Sequence, residues 1–321
     1  MAGFVKLMVQ SLESILPPKW VTRAAPAIIG LLPMPGGAMV SAPIVKEIGR
    51  NENKRPEIFT ASNYWWRHIW EASWPLYPSI ILAAAVLKVS VWDVAIINFP
   101  ISVTCIVVGL LLSKIGGDRR SSAKPDFLLL ARSLWPILTI VLLGLILKID
   151  LIISVILVMI VFMISRFVNI ADFGKALLKG FSLDIVVLIF GVMTLMYAMD
   201  KTGTAELFYR ELLALSIPSP LVAFTVPFAV GLLTGVTSAY IGVGFPVILP
   251  LLRSETLPLD AGMLLAFTGG FMGVMASPVH LCLVLTNEYF KSSLARTLAI
   301  LAPLIILTSG ISWLVAIVFY R

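Results

Sequence analysis

Apolar residues run along this chain in long charge-free stretches, and short polar segments separate them. The stretches are Ala24–Val45, Ala72–Leu87, Val94–Ser113, Leu212–Leu252, Ala261–Asn287 and Thr297–Tyr320. A helix needs about 20 apolar residues to cross the hydrocarbon core of a bilayer. The pattern therefore predicts an all-α, polytopic membrane protein. Read in order, the predicted elements are an amphipathic helix at Val5–Leu16, a broken segment at Ala24–Ile48, an interrupted helix at Ser62–Leu87 and a helix at Val94–Ser113. A Gly-, Arg- and Lys-rich linker, Lys114–Asp126, follows. Three helices come next, near Leu128–Leu147, Leu151–Ser165 and Ile185–Met199. The chain closes with an amphipathic helix at Thr204–Ser216, a broken segment at Pro218–Leu252, an interrupted helix at Ala261–Tyr289 and a last span at Thr297–Tyr320.

This order contains a repeat. Pro17 and Pro218 lie 201 positions apart, as do Pro26 and Pro227, and Gly30-Leu31-Leu32 matches Gly231-Leu232-Leu233 at the same offset. Beyond a two-residue insertion, Pro43 pairs with Pro246 and Pro75 with Pro278, both at 203. Each half runs amphipathic helix, broken segment, interrupted helix, full span. Five crossings separate the two broken segments, and an odd number places them on opposite faces of the membrane. That is an inverted repeat, a common plan of secondary transporters. The expected organisation is a first repeat over residues 1–113, a linker over 114–127 and a second repeat over 128–321. The three helices that open the second repeat have no counterpart in the first, so the first repeat is expected to be incomplete.

Charge agrees with this topology. Hydrophobic residues make up 59% of the 321 positions and charged residues 13%, about half the usage of soluble domains. The net charge of +7 would suggest nucleic acid in a soluble protein, but here the basic residues lie mostly between apolar runs. On the predicted topology, 18 of the 24 Lys and Arg residues fall on the side of the Lys114–Lys124 loop, which makes that side cytoplasmic. No patch for nucleic acid is expected. Cys105 and Cys282 lie in apolar segments without metal-ligand spacing, and no metal is expected.

The broken segments carry the candidate chemistry. In GLLPMPGGAMVSAPIV, Pro33, Pro35, Gly36 and Gly37 interrupt an apolar run that could otherwise be one kinked span. Leu212–Leu252 has 41 residues without a charge, and only 14 residues separate Ser238 from Arg253, too few for a full crossing. Both segments read as re-entrant hairpins, over 24–48 and 218–252. Unwound backbone at membrane depth requires protein cover or a wet cavity, and a helix starting there aims its positive end at a ligand. The candidate substrate- and ion-binding residues are Pro35, Gly36, Gly37, Ala38 and Ser41 at the first tip, and Thr234, Thr237, Ser238 and Gly242 at the second. Ser73 and Ser277, beside the breaks of the interrupted helices, complete the set. Glu71, His68 and His280 are candidates for proton coupling. The plainer readings are an Arg67–Glu71 ion pair one helical turn apart, and a packed His280.

GLLPMPGGAMVSAPIV followed by NYWWRHIWEASWPLYP resembles an integral membrane family of archaea and bacteria that carries a domain-of-unknown-function label. That family is similar to the ion-transporter superfamily of gluconate, citrate and dicarboxylate carriers. The resemblance implies two hairpins and two broken helices holding an organic anion and coupling ions. The serine-asparagine-threonine tips of the sodium–dicarboxylate branch are absent at Met34–Ala38 and Thr234–Ser238. The expected function is secondary active transport of a small carboxylate coupled to H⁺ or Na⁺, by a multi-pass protein of the cell membrane with no other cofactor. Its expected partners are the lipid bilayer, the anion and a second copy of the chain in a homodimer. An uncoupled channel or a non-transporting membrane subunit is the alternative. An intramembrane enzyme is the remoter one, because no HExxH motif or paired acids are present.

Overall fold

The computed structural model describes residues 11–34, 36–112, 115–117, 126–166, 173–175, 178, 180–254 and 256–320. Most of the linker expected at 114–127, and half of the amphipathic helix expected at Val5–Leu16, lies outside the described residues. Those described form helices and connections, with no strand among them. Proline punctuates the first run of elements. Its missing N–H costs nothing in the first turn of a helix, and it opens α1 (Pro18–Ile29), α3 (Pro56–His68) and α4 (Pro78–Leu87). Between α1 and α3 lies α2 (Ala38–Ile48), and α5 (Val91–Gly109) ends the run. Three apolar helices follow, α6 (Phe127–Leu145), α7 (Leu151–Arg166) and α8 (Leu183–Thr202), then α9 (Thr204–Ala214).

The second run has five elements like the first: α10 (Ser219–Thr234), α11 (Thr237–Leu252), α12 (Leu259–Ala276), α13 (Leu281–Phe290) and α14 (Leu294–Phe319). Four of their five starts coincide with those of the first run at the offsets seen in the prolines. Pro17 and Pro218 precede α1 and α10, and Ser90 and Ser293 precede α5 and α14. Lys88 and Lys291 close α4 and α13 in the left-handed region, at φ 61° and 54°. Non-glycine residues seldom adopt that conformation, so its recurrence 203 positions apart is specific. Packing recurs as well. α1 lies on α3 as α10 lies on α12, α2 meets α13 as α11 meets α4, and α3 meets α14 as α12 meets α5.

Glycine sets the α10–α12 contact. A Cβ at Gly231, Gly269 or Gly273 would stand 2.3, 2.1 and 2.2 Å from a backbone oxygen of the facing helix. In lipid, where apolar side chains gain little by meeting one another, such close backbone approach is what holds helices together. Gly30 makes the matching approach in the first run, 2.4 Å from the Arg67 carbonyl oxygen.

Among the described residues, four stretches are long and apolar enough to cross a membrane: Val91–Gly109, Leu183–Thr202, Leu259–Phe290 and Leu294–Phe319. Of the twenty residues in α8 only Val192 is buried, while Phe190 and Val187 stand exposed as lipid-facing side chains would. α1 and α2 are too short to cross, about 18 and 16 Å at 1.5 Å per residue. The interrupted helices differ in one respect from expectation. The second breaks at Ser277, as anticipated, but the first ends at His68, well before Pro75, and is non-helical through Tyr77. Arg67 and Glu71 therefore do not lie one helical turn apart.

Candidate functional site

The early end of α3 separates two neighbouring charges and sends them to different places. Arg67, still helical, is 2% exposed and turns toward the connection between α1 and α2. Its Nη2 donates to the carbonyl oxygens of Leu32 (3.0 Å) and Met34 (3.4 Å), and its Nη1 to the Tyr77 hydroxyl (2.9 Å). Tyr77 in turn donates to the Gly30 carbonyl (2.7 Å). All these partners are neutral. Among the described residues no carboxylate lies within ion-pair distance of the guanidinium. Its Nε is buried without a hydrogen-bond partner, and so is Asn63 Oδ1, whose amide nitrogen donates to the Ala38 carbonyl at 2.8 Å. A donor and an acceptor thus stand unanswered beside the start of α2. Gly37 makes the approach possible, since a Cβ there would lie 2.4 Å from Arg67 Nη2.

Glu71 serves the other connection, between α10 and α11. Its Oε1 accepts a hydrogen bond from the Thr237 hydroxyl, and its Oε2 lies 3.8 Å from His68 Nε2. The imidazoles of His68 and His280 face each other with 3.3 Å between their Nε2 atoms. Each anchors its far nitrogen on a carbonyl: His68 Nδ1 on Tyr64 and His280 Nδ1 on Gly235, both at 2.6 Å. Gly235 turns the chain at φ +64°, and a Cβ there would collide with the His280 backbone nitrogen at 2.8 Å. Cys282 adds its Sγ, and the three potential ligand atoms of His68, His280 and Cys282 lie within 4.8 Å of one another. The Tyr64 ring covers both imidazoles, its centroid 4.6 Å from His68 and 5.5 Å from His280. His68, Glu71, Cys282 and His280 are 1, 7, 6 and 8% exposed, so water is largely excluded.

The structure gathers some of the residues singled out in the sequence and separates others. Gly36, in the left-handed region at φ +67°, Gly37 and Ala38 stand at the first connection with Arg67. Thr237, Glu71, His68, His280 and Ser277 stand at the second, where the Ser277 hydroxyl comes within 3.0 Å of a Cβ built on Gly235. Pro35 lies outside the described residues. Ser73 is held away by Ser102, at 2.6 Å. Ser41 donates to the Ala38 carbonyl within its own helix, and Thr234 does the same with Val230. Ser238 is half-buried at the start of α11. Gly242 belongs to a π-helical turn, Tyr240–Gly244, and packs toward Val192 of α8, away from the imidazoles. Sequence reasoning missed Tyr77, Asn63 and Cys282, and treated Arg67 only as a partner for Glu71. The signal for Cys282 was its place two residues after His280, at a helix break.

A comparison with protein families matches residues 3–319 to one whose description is a protein of unknown function, DUF401. Among curated proteins no match was found.

Proposed function

We propose that this chain, which belongs to the DUF401 family, is a secondary active transporter that moves a small organic anion across the cell membrane by alternating access. The observation that carries this reading is Arg67. A guanidinium withdrawn from water without a counter-charge costs several kcal/mol, and a carboxylate at the free Nε would relieve that cost. The neighbouring Asn63 Oδ1, an unanswered acceptor, favours an anion that also carries a hydroxyl.

The recurrence of five elements, with reciprocal packing between the runs, supports an inverted repeat of multi-pass topology. In that arrangement α1–α2 and α10–α11 are re-entrant hairpins whose tips meet the two helix breaks. Their shortness and the positive-φ glycines at both turns fit this plan. The coupling cation belongs to the group of Glu71, His68 and His280, where a carboxylate and two imidazoles suit H⁺ better than Na⁺, a cation that prefers oxygen. The chain is proposed to act as a homodimer in the bilayer. An intramembrane enzyme and an uncoupled channel are the competing readings.

Proteoliposomes separate them. Uptake of radiolabelled gluconate, citrate and dicarboxylates is measured with and without imposed H⁺ or Na⁺ gradients. The transporter reading expects gradient-driven accumulation of at least one anion, reduced by Arg67→Gln. Equilibration that ignores the gradients points to a channel, and the absence of flux for every anion tested sinks the transport reading.

A further inference from the structure

We propose that His68, His280, Cys282 and Glu71 form a binding site for a divalent transition-metal cation of the Zn²⁺ class.

The tautomers come first. A carbonyl oxygen only accepts, so the short contacts of His68 Nδ1 to Tyr64 and of His280 Nδ1 to Gly235 place a hydrogen on each Nδ1. Each neutral ring then presents a bare lone pair at Nε2, and the two lone pairs face each other across 3.3 Å. That arrangement is repulsive until a cation lies between them. The separation also fits a shared metal, because two nitrogen ligands at ~2.0–2.1 Å from a tetrahedral Zn²⁺ are ~3.3 Å apart. Cys282 Sγ stands within 4.8 Å of both imidazole donors, and Glu71 Oε2 stands 3.8 Å from His68 Nε2. The two imidazoles and the thiol make one N₂S set, and the carboxylate, 3.8 Å from one of its nitrogens, is the fourth ligand that a bound metal would draw in.

The supporting contacts are those of a metal site. Ligating histidines commonly fix their orientation by donating the other ring N–H to a carbonyl, as both do here. The spare oxygen of Glu71 is held by the Thr237 hydroxyl. Thiolate and imidazole select borderline cations over Na⁺, Mg²⁺ and Ca²⁺, which prefer oxygen. Charge closes as well. Two neutral imidazoles, one thiolate and one carboxylate balance a 2+ ion, so the filled site is neutral, as a buried position at membrane depth demands. The ligands come from the first helix break (His68, Glu71) and from the second (His280, Cys282). Gly235 and Thr237 of the second connection brace them. A bound metal therefore ties together elements of both runs.

This inference rests on the cation site of the transport reading, where a bound metal would compete with H⁺ for the same side chains, but binding itself does not depend on transport. The test uses the purified full-length protein in detergent, stripped with a chelator and titrated with Co²⁺ as the optical probe. The expected result is one Co²⁺ per chain with intense tetrahedral ligand-field bands and a thiolate-to-metal charge-transfer band. Cys282→Ser removes the charge-transfer band, His280→Gln weakens binding at least tenfold, and Cys105→Ser changes neither. Thr237→Val, which leaves every ligand in place, weakens binding by a smaller factor and guards against misfolding of the ligand variants. A weak octahedral spectrum unaffected by these changes, or no binding, overturns the site. Anion uptake is read separately. Metal binding without flux upholds the site and defeats the carrier, whereas flux without metal binding does the reverse.

Discussion

At the scale of single residues, Arg67 and Glu71 were the hardest to read. Their spacing suggests an i, i+4 pair on one helix, and nothing in the intervening His68-Ile69-Trp70 announces a break. Pro75 disrupts the turn before itself, not a turn seven residues earlier. The helix nevertheless ends at His68, and the guanidinium of Arg67 is claimed by Tyr77 and two backbone carbonyls from distant segments. Cys282 was hard to read for a related reason. An apolar segment hides a cysteine among packing residues, and its nearness to His68 spans more than two hundred positions. Gly36, Gly37 and Thr237 were legible, because breaks in an apolar run have local causes. Gly37 gives a sharp prediction. Gly37→Leu displaces Arg67 and breaks charge-assisted hydrogen bonds worth about 1.5–3 kcal/mol each. Anion uptake in proteoliposomes should fall roughly ten- to a hundredfold, with normal expression and gel-filtration behaviour. Full uptake by this variant would show that the α1–α2 connection only packs.

At the scale of elements, apolar runs and prolines located nearly every helix. α6, α7, α8, α10, α12 and α14 fall within a few residues of where the pattern put them. What the pattern could not supply was the contact between helices. Glycines of α10 and α12 lie against the facing backbone, while Gly191 in exposed α8 has nothing within 4 Å. The two environments predict opposite outcomes for one substitution. Gly273→Val meets the Phe228 carbonyl and should cost more than the about 1–3 kcal/mol usual for overpacking. Thermal unfolding in detergent should show a clearly lowered midpoint for Gly273→Val and no material change for Gly191→Val. Equal midpoints would mean that the α10–α12 approach is not what holds this part of the fold.

At the scale of the whole molecule, four proline pairs and one three-residue match at offsets of 201 and 203 suggested a repeat, and helix starts and positive-φ lysines recur at the same offsets. The sequence could not disclose the reciprocal packing, which depends on contacts between distant segments. As proposed, the two runs are inverted copies that enter the membrane from opposite faces. Glu47 near the end of α2 and Thr256 just after α11 are exposed and lie at the C-terminal ends of the second helices of the two runs. Both native cysteines are buried and should react slowly. A membrane-impermeant thiol reagent applied to sealed vesicles of known orientation should label Glu47→Cys only from the cytoplasmic face and Thr256→Cys only from the outer face. Labelling of both positions from the same face would contradict the inverted repeat.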